Sequence, residues 1–203
     1  MIRNVVFDMG NVVIRFDPDY FMTREGILDE EDRRIIRQGM FQSAEWPMMD
    51  FGLLTEDETE PIFLDRIPAR LHEQTVSLLR RWAYPGEEIP GMAELIARLK
   101  AAGYGIYLLS NASKAQHEYW PAQPVSRLFD GKVISCDLKT VKPERKIYRA
   151  FTEKFDLRPE ECVFIDDTPI NVAGAIACGW KGIVFYGDAA EAEKKLREMG
   201  LDF

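Results

Sequence analysis

Four short stretches carry the side chains most able to do chemistry, and they lie far apart in the chain. Asp8 follows Val5-Val6-Phe7, and Ser110-Asn111 follows Tyr104–Leu109. Lys142 precedes Pro143, and Asp166-Asp167 follows Cys162–Ile165. A carboxylate such as Asp8 is ionised at neutral pH and attacks an electrophile without a base to activate it. Against a phosphoryl group it would meet like charge, so a hard divalent cation must offset the repulsion. Magnesium prefers carboxylate and carbonyl oxygens and keeps several waters. Asp8 and Asp167 can supply the carboxylates. Ser110 and the N–H groups opening its helix can hold a phosphoryl oxygen, and Lys142 can bridge nucleophile and phosphate. The chemistry such a set suits is phosphoryl transfer. Each residue also has a plain structural use: Asp8 as a turn opener, Ser110-Asn111 as a helix cap, Lys142 as a solvated cation. Two adjacent carboxylates ending an apolar strand are harder to explain that way, because they repel unless a cation or donors compensate them.

The elements that must position these groups alternate. Val5–Phe7, Tyr104–Leu109, Lys132–Ser135, Cys162–Ile165 and Gly182–Phe185 are short, nearly continuous apolar runs. Such runs suit strands buried on both faces of a parallel sheet. Between them, helical patterns cover Met92–Ala102, the stripe Ile147, Ala150, Phe151 and Phe155 after Pro143, Ile170–Cys178 and Ala189–Met199. Gly103, Gly179 and Gly200 are their stops. The alternation predicts an α/β fold, and open α/β sheets gather functional groups at the carboxyl ends of their strands. From about Phe16 to Tyr84 the alternation breaks into helices alone: Asp29–Gln38, Gln42–Asp50, Thr55–Arg66 and Ala69–Trp82, with a capping box at Thr55 and Glu58. This insert reads as a second, smaller domain hinged at Phe16-Asp17-Pro18 and Ala83-Tyr84-Pro85-Gly86.

Composition narrows the partners. In 203 residues, 34 acidic side chains face 26 basic ones for a formal charge of −8, which disfavours nucleic acid and anionic membranes. No apolar stretch approaches a membrane span, and an aspartate at position 8 interrupts any secretory apolar region, so the expected setting is cytoplasmic. Cys136, Cys162 and Cys178 are too scattered for a disulfide framework and read as small core residues. Two histidines leave no basis for a histidine metal site.

The residues resemble the four motifs of the haloacid dehalogenase superfamily. Val5-Val6-Phe7-Asp8-Met9-Gly10-Asn11-Val12 resembles the first, Leu109-Ser110-Asn111 the second, Lys142-Pro143-Glu144 with Ile147-Tyr148 the third, and Phe164–Asn171 the fourth. Similarity is greatest to the branch with α-D-glucose-1-phosphate phosphatase and the phosphatase-like domain of soluble epoxide hydrolase. The resemblance implies a Rossmann-like parallel sheet core (residues 1–15 and 86–203) with helices on both faces. It also implies a small helical cap (residues 16–85) inserted after the first strand. By the same resemblance the chain is expected to be a magnesium-dependent phosphatase of a small phosphate ester, a monomer or homodimer.

 Asp8 would carry an aspartyl-phosphate intermediate, with Lys142 as its catalytic partner and Ser110, Asn111 and Lys142 binding phosphate. The magnesium would take Asp8, the Gly10 carbonyl and Asp167, with Asp166 ligating or orienting nearby.

One departure stands out. Most phosphatases of that family carry a second aspartate, a general acid–base, two residues after the nucleophile, where this chain has Gly10. A glycine carbonyl still serves a metal, and the anomeric oxygen of a sugar 1-phosphate needs less protonation than a simple alcohol on leaving. Asp17 could fold back to compensate, although a turn before Pro18 is the simpler reading. The cap is expected to select the substrate through Met40–Trp46, with Asp50 further along; Gln42 and Trp46 are the candidate contacts. Phe41 and Trp46 can equally belong to the cap's own core, and His117, Tyr119 and Trp120 pose the same choice. Two alternatives remain. One is a phosphate-binding regulatory protein without catalysis. The other is a dehalogenase or phosphonate hydrolase, against which stand the Asp166-Asp167 pair and the lack of any lysine from Phe16 to Tyr84.

Overall fold

The computed structural model describes residues 1–84 and 86–203, so Pro85 of the expected second hinge lies outside the described residues. Five strands form one sheet: β1 (Asn4–Phe7), β2 (Gly105–Ser110), β3 (Gly131–Ile134), β4 (Cys162–Asp166) and β5 (Lys181–Val184). Their order is β3-β2-β1-β4-β5 and every neighbouring pair is parallel. Phe7 lies opposite Leu108 on one side and Ile165 on the other, which brings the ends of three strands level. The chain turns from one side of β1 to the other between β3 and β4, and ligand crevices open at such switch points.

The helices before the second strand are α1 (Pro18–Arg24), α2 (Glu30–Ile36), α3 (Glu45–Phe51), α4 (Glu56–Arg66), α5 (His72–Arg81) and α6 (Met92–Ala101). Those after it are α7 (Gln116–Tyr119), α8 (Ser135–Leu138), α9 (Arg145–Phe155), α10 (Pro169–Ile176) and α11 (Ala189–Glu198). Side chains alternate across the sheet, and each face finds its own cover. Val5, Phe7, Ile106 and Leu108 pack with Leu95, Ile96 and Leu99 of α6 and Leu196 of α11. Val6, Leu109 and Phe164 pack on the opposite side with Ile147, Tyr148 and Phe151 of α9 and Ala175 of α10. The continuous apolar runs are therefore explained by burial on two faces.

Helices α1 to α5 enclose a separate cluster that includes Phe21, Met22, Ile36, Met40, Met49, Phe63, Leu78 and Leu79. Thr55 and Glu58 form the expected capping box at the start of α4. Several boundaries differ from expectation. The helix expected over 29–38 gives way at Arg37 to a π-helical turn, Arg37–Phe41. The next helix starts at Glu45 rather than Gln42, after the Gln42 N–H bonds back to the Arg37 carbonyl at 2.8 Å. A 3₁₀ turn at Ala69–Leu71, set up by the preceding Pro68, delays α5 to His72. Glu144 is extended, so α9 begins at Arg145 instead of Pro143. The third strand ends one residue early because Ser135 opens α8. Among the described residues no helix is long and apolar enough to cross a membrane.

Candidate active site

The ladder between β1 and β4 runs one bond past the strands, with the Asp8 N–H donating to the Ile165 carbonyl at 2.9 Å. That bond fixes the backbone of Asp8 beside the end of β4. Lys142 arrives from the loop before α9 and places its Nζ 2.7 Å from Asp8 Oδ1 and 2.7 Å from Asp166 Oδ2. Its side chain is only 1% exposed, so the solvated reading of this lysine is excluded. Asp166 is fully buried, and two other donors serve it. The Thr168 N–H reaches Oδ1 at 2.8 Å, and Asn171 Nδ2 lies 3.1 and 3.2 Å from its two oxygens. Buried carboxylates persist when they are paired and hydrogen-bonded in this way.

Asn111 reaches the same lysine by a different route. Its Oδ1 accepts the Lys142 N–H at 2.8 Å and its Nδ2 donates to the Lys142 carbonyl at 3.1 Å. The side-chain amide expected on phosphate is thus committed to holding the lysine backbone. Asn11 adopts a left-handed φ of 55°, which asparagine tolerates better than most residues. It accepts the Phe16 N–H at 2.9 Å and donates to Asp167 Oδ2 at 3.3 Å, tying the loop after β1 to the end of β4.

Asp8, Asp166 and Asp167 each offer an oxygen within 4.8 Å of the others. Three carboxylates against the one Lys142 ammonium leave an excess of negative charge, and the donors are hard oxygens. Such a set fits a divalent cation of the magnesium type. Burial pushes the Asp8 carboxyl above its ordinary range, with Lys142 pulling it down and Asp166 pushing it further up. Burial works against the Lys142 charge too, but Asp8 and Asp166 outweigh it and hold the ammonium above its usual value.

Asp8 and Asp167 form the floor of a cavity of about 230 Å³ that Gly10, Ser110 and Asn111 also line, while Lys142 and Asp166 are not among its lining residues. The cap supplies its roof, with Trp46, Met49, Asp50, Glu56 and Trp82. Trp46 therefore reaches the cavity while stacking on Phe41 at 5.0 Å and Phe16 at 6.0 Å. Gln42 does not: it is exposed and absent from the lining, because the π-helical turn and the late start of α3 leave it outside. Glu45 is tied to Arg66 at 2.9 Å. Asp17 caps α1 by accepting the Asp19 and Tyr20 N–H groups, in line with the turn reading. Tyr119 is buried and lines the cavity, Trp120 packs on Phe129, and His117 faces Asp137 near the surface.

Five residues of the site were not assigned a role from sequence: Asn11, Glu56, Ser113, Thr168 and Asn171. Ser113 donates to Glu56 across the gap between core and cap. An asparagine directly after the Asp-Met-Gly turn was the available signal for Asn11, and the first-turn position of Asn171 for its bond to Asp166.

Comparison with known proteins now bears on this geometry. A model of the haloacid dehalogenase-like hydrolases matches residues 2–179. Flavin mononucleotide hydrolase 1 of Arabidopsis thaliana is 26% identical over 158 residues, covering 77% of this chain and 62% of its own length. The (S)-2-haloacid dehalogenase 4A of Burkholderia cepacia is 28% identical over 95 residues, 46% of this chain and 41% of its own. The chain thus spans less than two thirds of either relative. A phosphorylated carbohydrates phosphatase of Thermotoga maritima is 24% identical over 205 residues, covering 97% and 90%. A crystal structure of a HAD family enzyme from Bacteroides thetaiotaomicron, complexed with magnesium and inorganic phosphate, superposes with a TM-score of 0.74 at 22% identity, covering 95% of this chain and 99% of that one. With nearly its whole core matched, this chain belongs to the haloacid dehalogenase-like hydrolases.

Proposed function

We propose that the chain is a magnesium-dependent phosphatase of a small phosphorylated metabolite, of the sugar phosphate class that includes glucose 1-phosphate. The observation that carries this reading is the meeting of Asp8, Asp166 and Asp167 around one point, with Lys142 between two of them. Relatives that act on phosphate esters, such as the Thermotoga phosphatase, support it. In this reading residues 1–15 and 86–203 are the catalytic core and residues 16–85 the cap. Asp8, the Gly10 carbonyl and Asp167 hold the magnesium, and Asp166 orients Lys142. When bound, the magnesium supplies positive charge that offsets the repulsion between Asp8 and the phosphoryl oxygens.

The chain's own residues do the rest. Asp8 attacks phosphorus as a carboxylate, the bond to the leaving oxygen breaks, and the phosphoryl group rests on Asp8. Lys142, fixed by Asn111 and Asp166, stabilises the charge that moves onto the phosphoryl oxygens. Ser110 and the backbone N–H of Asn111 hold those oxygens in place, and Trp46 lies against the rest of the substrate. Three free thiols fit a reducing, cytoplasmic setting. A screen of sugar phosphates, with magnesium and with excess chelator, tests the reading: metal-dependent phosphate release is expected. Metal-dependent binding of esters without release would replace it with the regulatory alternative.

A further inference from the structure

Gly10 leaves the hydrolysis without the usual general acid–base, and four cap or hinge carboxylates lie near enough to be considered. Three are engaged elsewhere. Asp17 caps α1, Glu45 pairs with Arg66, and Glu56 accepts from the Ser113 hydroxyl. Asp50 differs, because its carboxyl enters no hydrogen bond or ion pair among the described residues, although it lines the cavity that holds Asp8, Ser110 and Asp167.

The backbone of Asp50 is nevertheless held firmly against the core. The Ser135 hydroxyl donates to the Asp50 carbonyl at 2.5 Å while accepting the Ala112 N–H at 2.9 Å. One hydroxyl thereby joins the end of α3 to the segment just after Ser110-Asn111. Two residues on, Gly52 has a left-handed φ of 77°, and a Cβ there would fall 2.3 Å from the Cys136 carbonyl oxygen. Only glycine permits so close an approach of the cap to α8. The cap is thus seated on the core next to Asp50, which fixes the backbone from which its carboxyl reaches the cavity.

We propose that Asp50 is the general acid–base of this hydrolase, delivering a proton to the leaving oxygen from the cap side of the cavity. The inference rests on the phosphatase reading given above. In the first step Asp8 forms its bond to phosphorus, the ester P–O bond breaks, and the leaving oxygen takes the proton of the Asp50 carboxyl to depart as an alcohol. In the second, water attacks the phosphoryl group and gives its proton to the Asp50 carboxylate. The bond to Asp8 breaks, and inorganic phosphate leaves with both aspartates restored.

The surroundings suit an acid that is protonated when substrate arrives. Burial pushes Asp50 up to about 7, the Lys142 charge pulls it down and Glu56 pushes it up. Tyr119 of α7 and Cys136 of α8 are also near it, both held above their ordinary values chiefly by burial and so neutral near pH 7, and the Asp8 and Asp167 carboxyls line the same cavity. A general acid works best with a pKa near the operating pH.

The test uses phosphate monoesters of rising leaving-group basicity: p-nitrophenyl phosphate, α-glucose 1-phosphate and glucose 6-phosphate. Asp50→Asn is expected to lose about 10²–10⁴ in kcat/KM, which reports the first step, on the most basic leaving group and less than about tenfold on p-nitrophenyl phosphate, whose phenolate departs unprotonated. The wild-type kcat/KM on the sugar esters should fall as pH rises through the Asp50 value, and this limb should be missing with p-nitrophenyl phosphate. That second measurement stands even if the variant folds poorly. A rescue is also available. An added Cβ at Gly10 meets only Phe16 Cβ, at 3.4 Å, and Gly10 has no positive φ, so Gly10→Asp fits and should restore activity to Asp50→Asn. Equal loss of kcat/KM on all three esters, or none, overturns the role of Asp50. Failure of the phosphatase reading looks different: no ester releases phosphate, or Asp8→Asn turns over like the wild type.

Discussion

The ion pairs of the core and those of the cap both join a basic side chain to carboxylates, yet they differ in how far water reaches them. In the core, Lys142 sits between Asp8 and Asp166 with its side chain 1% exposed. In the cap, Arg66 meets Glu45 at 2.9 Å with the arginine side chain 40% exposed, and Arg80 meets Glu60 at 2.8 Å in a similar setting. Solvated pairs contribute about 0–1 kcal/mol. A buried pair gains little net stability over apolar residues of the same size, yet breaking it is costly because a charge is left uncompensated. On the proposed reading the core triad serves the substrate, whereas the cap pairs lie at a solvated surface.

The sharpest way to break that contrast is Asp8→Asn. Turnover is expected to fall by about 10⁴-fold or more, the scale on which removal of a nucleophile acts. Far-UV circular dichroism should be unchanged, since the backbone of Asp8 is held by its bond to Ile165. Retained turnover would end the assignment of Asp8. Next in size is Lys142→Met, which leaves three neighbouring carboxylates without their ammonium. Urea unfolding in chelator is expected to show a loss of about 3–5 kcal/mol. Added magnesium should recover part of it by binding the folded state alone. A variant as stable as the wild type would show that the triad is no more costly to break than a surface pair.

Asn111→Ala should have a middling effect. It removes two hydrogen bonds to the Lys142 backbone and leaves that N–H and carbonyl short of partners, at a cost of about 1–3 kcal/mol. The lysine then loses its fixed approach, so kcat should fall while the KM for phosphate esters changes less. A change confined to KM would return Asn111 to direct phosphate binding.

The same contrast explains what could be read from the sequence. Asp8, Ser110 and Asp166 end strands, and a parallel sheet brings strand ends together whatever the loops do, so apolar runs followed by polar residues were enough to gather them. Lys142 was legible only as a polar residue before Pro143, and its burial came from tertiary structure. That the Asn111 side chain turns to the Lys142 backbone was not legible, because local pattern says nothing about which way a loop amide points. The cap was harder still. Gln42 and Trp46 lie four residues apart and would share a face of one helix, but the π-helical turn at Arg37–Phe41 and the start of α3 at Glu45 separate them. Asp50 was noticed only as a carboxylate further along. Nothing in the chain around it announces Ser135 or Gly52, the contacts that hold it over the core.

Glu45→Gln should have the smallest effect, and its pH dependence gives the comparison its finest test. The hydrogen bond from Arg66 holds the Glu45 carboxyl down at about 2, against an ordinary value of 4.5. A carboxyl depressed on folding adds stability that is fully present above its unfolded value and is lost as pH falls towards the folded one. The wild type should therefore exceed Glu45→Gln by about 1 kcal/mol or less at pH 7. That gap should close between pH 4.5 and pH 2, and it should also narrow in high salt, which screens exposed pairs. Parallel urea titrations of the two proteins across that range measure it. A gap of several kcal/mol, or one that persists at the acid end, would mean that this cap pair behaves like the buried core triad, and the division of labour between the two regions would fail.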